Sequence, residues 1–200
     1  MLQINPSSTA LVLIDMQNGF FLTDGPYPRN GLSSPEINAL PKILKPVADA
    51  FRKAGGWVLS THFTVVPGKD EEPLMLEHIR KLRPFFGKGD FAPNNKTHAL
   101  IDELQPADLS VDKVTYSAFY MSRLEFVLRR ASIETLVFAG IVTNGGVSFT
   151  VGDAHMRGFR SIVLSDGCAA FNLSAHKSTI ESLGSMVEIT TTAEIIKSLS

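Results

Sequence analysis

The chain has 200 residues, of which 44% are hydrophobic and 20% charged, and its formal net charge is −1 at pH 7. This length suits one domain with a sizeable core, so we expect a single domain over residues 1–200. The near-zero charge gives no electrostatic reason to expect nucleic acid or an anionic membrane as a partner. No apolar run approaches the roughly 20 residues that span a bilayer, and no signal-peptide pattern opens the chain. One cysteine cannot form an internal disulfide, which favours a cytoplasmic protein.

The first predicted elements alternate between strand and helix. Residues 10–16 form an apolar run without helical spacing, which is typical of a buried strand. After a loop, a helix is predicted to begin at Ser34, a good N-cap, and to end at the glycine pair 55–56. Two prolines inside this pattern leave open a kink, or a start delayed to Pro41. A second strand is predicted over residues 57–64.

The rest of the chain continues the alternation after one long connection. Residues 65–95 are polar and contain prolines, with a helical turn predicted at 73–82, and a connection this long is more often functional than filler. Further helices are predicted at 97–104, 122–131, 150–158, 174–184 and 192–199, and further strands at 111–116, 135–141, 161–165 and 186–190. The alternation predicts an α/β fold: three α/β/α layers around a mainly parallel, doubly covered sheet of about six strands.

Three segments that carry polar residues or glycines lie at or near the ends of predicted strands: Asp15, Lys113 with its neighbours, and the turn 143–147. Parallel sheets of this kind bind ligands beyond the carboxyl ends of their strands, so one shared site is expected there. Each segment also has an ordinary structural interpretation. Asp15 can cap a turn, Lys113 can be a solvated edge residue, and the glycines can serve backbone freedom alone.

Three motifs resemble those of the isochorismatase-like hydrolase superfamily: residues 11–17 (LVLIDMQ), 113–119 (KVTYSAF) and 140–147 (GIVTNGGV). The resemblance spans about residues 9–190 and implies a Rossmann-like α/β hydrolase. Most members of the superfamily are cysteine hydrolases with an Asp, Lys and Cys triad. Asp15 and Lys113 match two members of that triad, whereas Gly146 stands at the position of the cysteine.

The isochorismatase branch of the superfamily also has glycine at this position. Residues 166–171 followed by His176, and the loops 64–68 and 85–89, resemble that branch as well. True isochorismatases, however, have Ala-His where this chain has Thr143 and Asn144, which argues against isochorismate itself as the substrate.

The resemblance implies which residues form the site. Asp15, Lys113 and Gly146 are the expected catalytic residues, with Asp15 as acid or base and Lys113 tuning it. An unusual cis peptide is expected at Val142–Thr143, and the amides of the glycine turn are expected to bind a carboxylate or water. The expected substrate-binding residues are Gln17, Phe20, His62, Tyr116, Phe119, Val142, Thr143 and Gly145. For Phe119, packing in the core is an equally good interpretation.

No cofactor and no metal are expected. Nicotinamidases of this superfamily bind a metal through Asp-x-His and a further histidine, whereas the corresponding residues here, 60–62, are Ser-Thr-His. His62, Arg80, Arg83 and Lys88 remain candidates to line the pocket. Cys168, the lone cysteine, is expected to be a buried structural residue.

The functional expectation is therefore an isochorismatase-like hydrolase. It would act on a small, carboxylate-bearing metabolite by Asp/Lys acid–base chemistry, on a vinyl ether or a C–N bond, without a cysteine nucleophile. The alternative is a degenerate, amidase-like cysteine hydrolase that binds a small amide or acid without turning it over. The expected partners are a small-molecule substrate and, as in the superfamily, further copies of the chain in a homodimer or homotetramer. No feature favours a pure interaction domain.

Overall fold

The computed structural model describes residues 2–199. Its strands are β1 Thr9–Ile14, β2 Trp57–Phe63, β3 Leu109–Lys113, β4 Thr135–Ile141, β5 Arg160–Ala169 and β6 Glu188–Thr190. Its α-helices are α1 Asn18–Phe21, α2 Pro35–Lys53, α3 Glu77–Leu82, α4 Leu124–Arg130, α5 Ser148–Met156, α6 Leu173–Leu183 and α7 Thr192–Ser198. The strands form one six-stranded sheet in the order β3-β2-β1-β4-β5-β6, and every pairing is parallel. The expected α/β architecture is confirmed.

Helices cover both faces of the sheet. Successive side chains of a strand point to opposite faces, so each buried strand contributes to two cores. In β1, Leu11 and Leu13 join a core that includes side chains of α2 and α7, such as Phe51 and Ile195. Val12 joins the opposite core, which includes side chains of α4, α5 and α6. Burial on both faces explains why these strands are apolar runs rather than alternating patterns.

The strand order reverses next to β1. The chain runs from β1 outward through β2 to β3, then returns to the other side of β1 with β4 and continues outward to β6. At such a switch point the loops after the two neighbouring strands diverge and leave a crevice beyond the carboxyl ends. Asp15 directly follows β1 and the turn Thr143–Val147 follows β4, so both flank this crevice.

Several boundaries differ from the predicted ones. The third strand ends at Lys113 rather than 116, and the segment 97–104 is not a helix but contains two 3-10 turns, Lys96–His98 and Asp102–Leu104. The fifth strand is longer than predicted and runs to Ala169, with an irregularity in its pairing with β4. Local sequence pattern sets the type of an element, whereas pairing partners and turns set where it ends.

Helix α2 begins at Pro35, so a start delayed to Pro41 is wrong. The Ser34 hydroxyl accepts the Ile37 amide at 3.2 Å, which caps the first turn.

The N-cap of α6 is Asn172, whose side chain accepts the amide of Ala175 at 3.0 Å. Within residues 2–199, no helix is both long enough and apolar enough to cross a membrane.

Candidate active site

A buried ion pair stands at the carboxyl end of the sheet. Lys113, the last residue of β3, places its Nζ 2.7 Å from Oδ2 of Asp15, and both side chains are almost completely buried. The other carboxylate oxygen, Oδ1, accepts the Thr61 hydroxyl at 2.8 Å. The same ammonium donates to the carbonyl of Thr115 at 2.9 Å. The pair links β1 to β3 across the end of β2. Because Thr61 engages Oδ1, Oδ2 is the carboxylate oxygen that lies beside the crevice.

The surroundings of Asp15 shift its protonation equilibrium. Burial raises the pKa of Asp15 above its ordinary value of 3.8, because a carboxylate loses hydration there. The charge of Lys113 and hydrogen bonds from Lys113 and Thr61 act in the opposite direction without cancelling the rise. A carboxyl group with a raised pKa is suited to hold and release a proton in acid–base chemistry.

The turn after β4 brings Gly146 against Asp15. A Cβ added to Gly146 would lie 3.1 Å from Oδ2 of Asp15, 3.2 Å from Cγ2 of Ile14 and 3.3 Å from the carbonyl of Ile141. The absent side chain therefore leaves a small space directly at the carboxylate. The cis peptide of this turn joins Ile141 to Val142, at the end of β4, so the expected position at Val142–Thr143 is wrong by one residue.

A cavity of about 580 Å³ opens above the ion pair. Seven of the residues expected to be catalytic or to bind substrate line it: Asp15, Phe20, Lys113, Tyr116, Val142, Gly145 and Gly146. Among residues 2–199, neither a cysteine nor a serine lines this cavity. The site thus offers an acid–base pair, backbone groups and two threonines, Thr64 and Thr115, but no thiol or serine hydroxyl to attack a substrate.

Two residues predicted to bind substrate lie in the protein interior instead. The buried amide of Gln17 donates to the carbonyls of Phe63 and His98 at 3.0 and 2.9 Å and accepts the amide of Phe63 at 2.8 Å. Gln17 thus ties the chain after β1 to the end of β2 and to the following loop. Phe119 packs in the core with Phe159, at 5.9 Å between ring centroids.

His62 and Thr143 also lie outside the lining of the cavity. Side chains alternate along β2, so Thr61 faces Asp15 while His62 points to the other face, where its Nε2 lies 2.9 Å from the Ser60 hydroxyl. Thr143 is fully buried, and its hydroxyl lies 2.8 Å from Nδ1 of His176. The side chain of Thr143 thus holds the turn while its neighbours face the cavity.

The sequence did not reveal most of the cavity wall. Tyr27, Phe63, Phe86 and Phe171 contribute aromatic rings, and the ring of Tyr27 stacks on Phe171 at 5.4 Å. Of the three basic candidates in the connection after β2, Arg83 lines the cavity, whereas Arg80 and Lys88 do not. The length of the connection 65–95, its two loops that resemble the isochorismatase branch and the candidate Arg83 pointed to this region. The aromatic rings were not predicted, since their contacts are made across the fold rather than along the chain.

Three side chains of metal-binding type meet behind the site. Ligand atoms of His62, His98 and Asp112 all lie within 4.8 Å of one another. Burial lowers the pKa of His62 to about 4, and the neighbouring His98 acts in the same direction, so His62 is neutral at pH 7. Sequence spacing did not indicate this cluster, because its members come from β2, β3 and a 3-10 turn between them.

Cys168 lies in β5 and is buried, with its Sγ 3.8 Å from the carbonyl of Phe138. Burial raises the pKa of this thiol to about 12, so it is protonated at neutral pH. It does not line the cavity above Asp15.

Comparison with known proteins gives the class of the chain. The sequence model of the isochorismatase domain matches residues 9–194. The ureidoacrylate amidohydrolase RutB of Agrobacterium fabrum is 31% identical over 175 residues, covering 82% of this chain and 76% of that protein. A crystal structure of a cysteine hydrolase from Pseudomonas syringae pv. phaseolicola has a TM-score of 0.84 at 27% identity, covering 100% of this chain and 95% of that one. N-carbamoylsarcosine amidase from Thermoplasma acidophilum has a TM-score of 0.72 at 25% identity, covering 92% and 96%. The chain belongs to the isochorismatase domain family and is a hydrolase of that class.

Proposed function

We propose that this hydrolase cleaves a small, carboxylate-bearing molecule by acid–base chemistry at Asp15 and Lys113, without a covalent intermediate. The observation that carries the proposal is the buried Asp15–Lys113 pair beside Gly146, in a cavity that neither a cysteine nor a serine lines among residues 2–199. By the resemblance of its motif, Gly146 takes the position at which cysteine hydrolases of this superfamily carry their nucleophile. In this proposal water is the attacking group.

The geometry supports a direct role for one carboxylate oxygen. Oδ1 of Asp15 is engaged by the Thr61 hydroxyl, whereas Oδ2 faces both the Lys113 ammonium and the space at Gly146. A water molecule or substrate atom in that space would contact Oδ2. Lys113 offsets the buried negative charge whenever Asp15 has released its proton.

Two bond types suit such a pair. With a vinyl ether, the Asp15 carboxyl gives its proton to the terminal vinyl carbon. Water then adds to the resulting oxocarbenium carbon and returns a proton to Asp15, and the hemiketal breaks into a keto acid and an alcohol. With a ureido or amide C–N bond, the Asp15 carboxylate takes a proton from the attacking water and passes it to the leaving nitrogen. The names of RutB and of N-carbamoylsarcosine amidase favour the C–N bond.

The expected partner is an acid, because the cavity wall is more cationic than anionic. Lys113 is already paired with Asp15, while Arg83 adds a further positive charge to the wall. A carboxylate of the substrate would complement this charge.

The test is a panel of vinyl ethers, ureido acids and small amides assayed for turnover, followed by Asp15→Asn on the best substrate. General acid–base catalysis typically contributes about 10²–10⁴-fold, so kcat should fall by at least about 100-fold. The exposed Asp24 provides the control variant Asp24→Asn, which should keep full activity. Unchanged turnover by a folded Asp15→Asn protein would refute the proposal.

A second candidate is binding without turnover, and the observation that favours it is the same lack of a thiol or serine in the lining. It predicts that acids or amides bind, as measured by calorimetry, while the whole panel stays intact. Asp15→Asn would then alter affinity alone.

A further inference from the structure

The rim of the cavity above Asp15 is apolar although it is exposed. Of the fourteen large hydrophobic side chains exposed on residues 2–199, seven line this cavity. Leu74, Leu76 and Leu82 are 65, 69 and 64% exposed. Clustered apolar surface of this kind marks a binding site, whereas scattered exposed hydrophobic residues do not.

Resting on the function proposed above, we infer that the substrate is an amphipathic acid, or the amide of one. Its reacting end would lie at Asp15, and an alkyl or aryl tail would run outward along this rim. The substrate class is therefore larger and more apolar than the ion pair alone would require.

Helix α3 shows that the rim is directed toward the cavity. The helix contributes no buried residue to the protein core. Its lining residues are Ile79 and Leu82, three positions apart and thus on one face, together with His78. Glu77 and Lys81 pair with each other at 2.8 Å and do not line the cavity. This amphipathic helix therefore turns its apolar side to the cavity rather than to a core.

Hydrogen bonds hold the rim in place without a ligand. The amide of Leu74 donates to the carbonyl of Val66 at 2.8 Å, and the amide of Gly68 donates to the carbonyl of Glu72 at 2.7 Å. The Arg80 guanidinium then ties α3 back to the segment 66–74 by donating a 2.9 Å hydrogen bond to the carbonyl of Pro73. The apolar surface is consequently preformed, so binding a tail does not require the segment to fold first.

The wall between the rim and the ion pair is also apolar. Phe20, Phe63, Phe86 and Phe171 line it. The volume of about 580 Å³ falls within the roughly 300–1,000 Å³ of pockets that enclose drug-sized ligands. Asp15 and Lys113 pair with each other, whereas Arg83 adds a further positive charge to the lining that can attract a carboxylate.

The experiment uses straight-chain monocarboxylates from butanoate to octanoate as probes, with dissociation constants measured by calorimetry. Each added methylene should tighten binding by about fourfold, the ratio that corresponds to ~0.8 kcal/mol per buried CH₂. In Leu76→Ser and Leu82→Ser, octanoate should bind at least about fourfold more weakly, while butanoate should bind as before. Leu173→Ser is the matched control, because Leu173 is an exposed leucine outside this cavity.

The outcomes separate this inference from the proposed function. Affinity that does not change with chain length overturns the inference even if short acids are hydrolysed in an Asp15-dependent reaction. A chain-length dependence that weakens in Leu76→Ser supports it. The full dependence should persist in Asp15→Asn, where turnover is lost but the tail still binds. If Leu76→Ser and Leu82→Ser change the sedimentation coefficient and leave octanoate affinity intact, the rim is a contact between copies of the chain, and the inference is wrong.

Discussion

At the scale of single residues, the site depends on what is missing at Gly146. A Cβ there would approach Oδ2 of Asp15 to 3.1 Å, and its other near neighbours are a methyl group at 3.2 Å and a carbonyl oxygen at 3.3 Å. These contacts are tight without being prohibitive, since shifts of a few tenths of an ångström relieve them. The position can therefore accept a small side chain that points to the carboxylate.

We expect Gly146→Cys to fold with a loss of about 1–3 kcal/mol, the usual cost of slight overpacking. Its new thiol should be alkylated by iodoacetamide much faster than Cys168, which is buried with a pKa of about 12 and serves as an internal control. Mass spectrometry of the labelled peptides measures the difference.

Adding Asp15→Asn to Gly146→Cys should slow this labelling, because Asp15 would no longer accept the proton of the thiol.

Gain of amidase activity by Gly146→Cys would show that the remaining groups still support covalent chemistry. Equal labelling at both cysteines would contradict the geometry described for the turn.

At the scale of elements, the approach of β4 to β1 depends on Gly140. Its φ of +118° is a conformation that L side chains rarely adopt, and an added Cβ would lie 2.2 Å from the carbonyl oxygen of Ile14. Ile14 directly precedes Asp15. The glycine thus lets the two central strands lie side by side where Asp15 and the turn Thr143–Val147 must meet.

Gly140→Ala should destabilise the protein by more than about 4 kcal/mol or prevent folding, because the clash involves backbone on both sides. Gly152→Ala is the control: no atom lies within 4 Å of the Cβ that it adds, and it sits in α5. It should be neutral or stabilise by up to about 1 kcal/mol. Urea unfolding of both variants measures the difference, and similar midpoints would show that β4 can move away from β1.

At the scale of the whole molecule, the crossing of the chain at β1 brings distant segments to one place. Lys113 reaches Asp15 across the end of β2, and the reversal of strand order beside β1 places the turn with Gly146 on the other side of Asp15. The same packing buries His62 with His98, at 5.0 Å between ring centroids. A histidine that must stay neutral in the folded state makes stability depend on pH.

The sign of that dependence follows from the lowered pKa of His62, about 4 in the folded protein against 6.5. The unfolded chain binds a proton at His62 more readily than the folded protein does. The contribution of neutral His62 to the free energy of unfolding is therefore complete above pH 6.5 and is lost as the pH falls toward 4. It amounts to at most about 3 kcal/mol. Urea unfolding in the presence of EDTA should show a shallower loss of stability between pH 6.5 and 4 in His62→Gln than in the parent chain.

The exposed His155 supplies the control, since His155→Gln should leave this slope unchanged. A slope that is identical in His62→Gln and the parent chain would mean that His62 is hydrated and titrates normally.

The sequence by itself determined the α/β class and the order of the strands and most helices, because apolar runs and helix spacing are encoded locally. The closeness of Asp15 to Lys113 was implied by the resemblance of their motifs to the superfamily, since no local pattern encodes a contact between residues so far apart. The sequence placed Phe20, Tyr116 and the glycine turn correctly along the cavity, because these lie within a few residues of those motifs.

Only the tertiary structure decided the rest. Whether a side chain faces the cavity or the core depends on strand alternation and on packing partners far along the chain, and this is why His62, Phe119, Gln17 and Thr143 lie outside the cavity lining. The sequence predicted a helical turn in the connection after β2 but not the apolar rim, since the position of the rim over the cavity depends on contacts across the fold. The strength of the Asp15–Lys113 interaction likewise depends on burial, which is a property of the packed molecule and not of any short stretch of sequence.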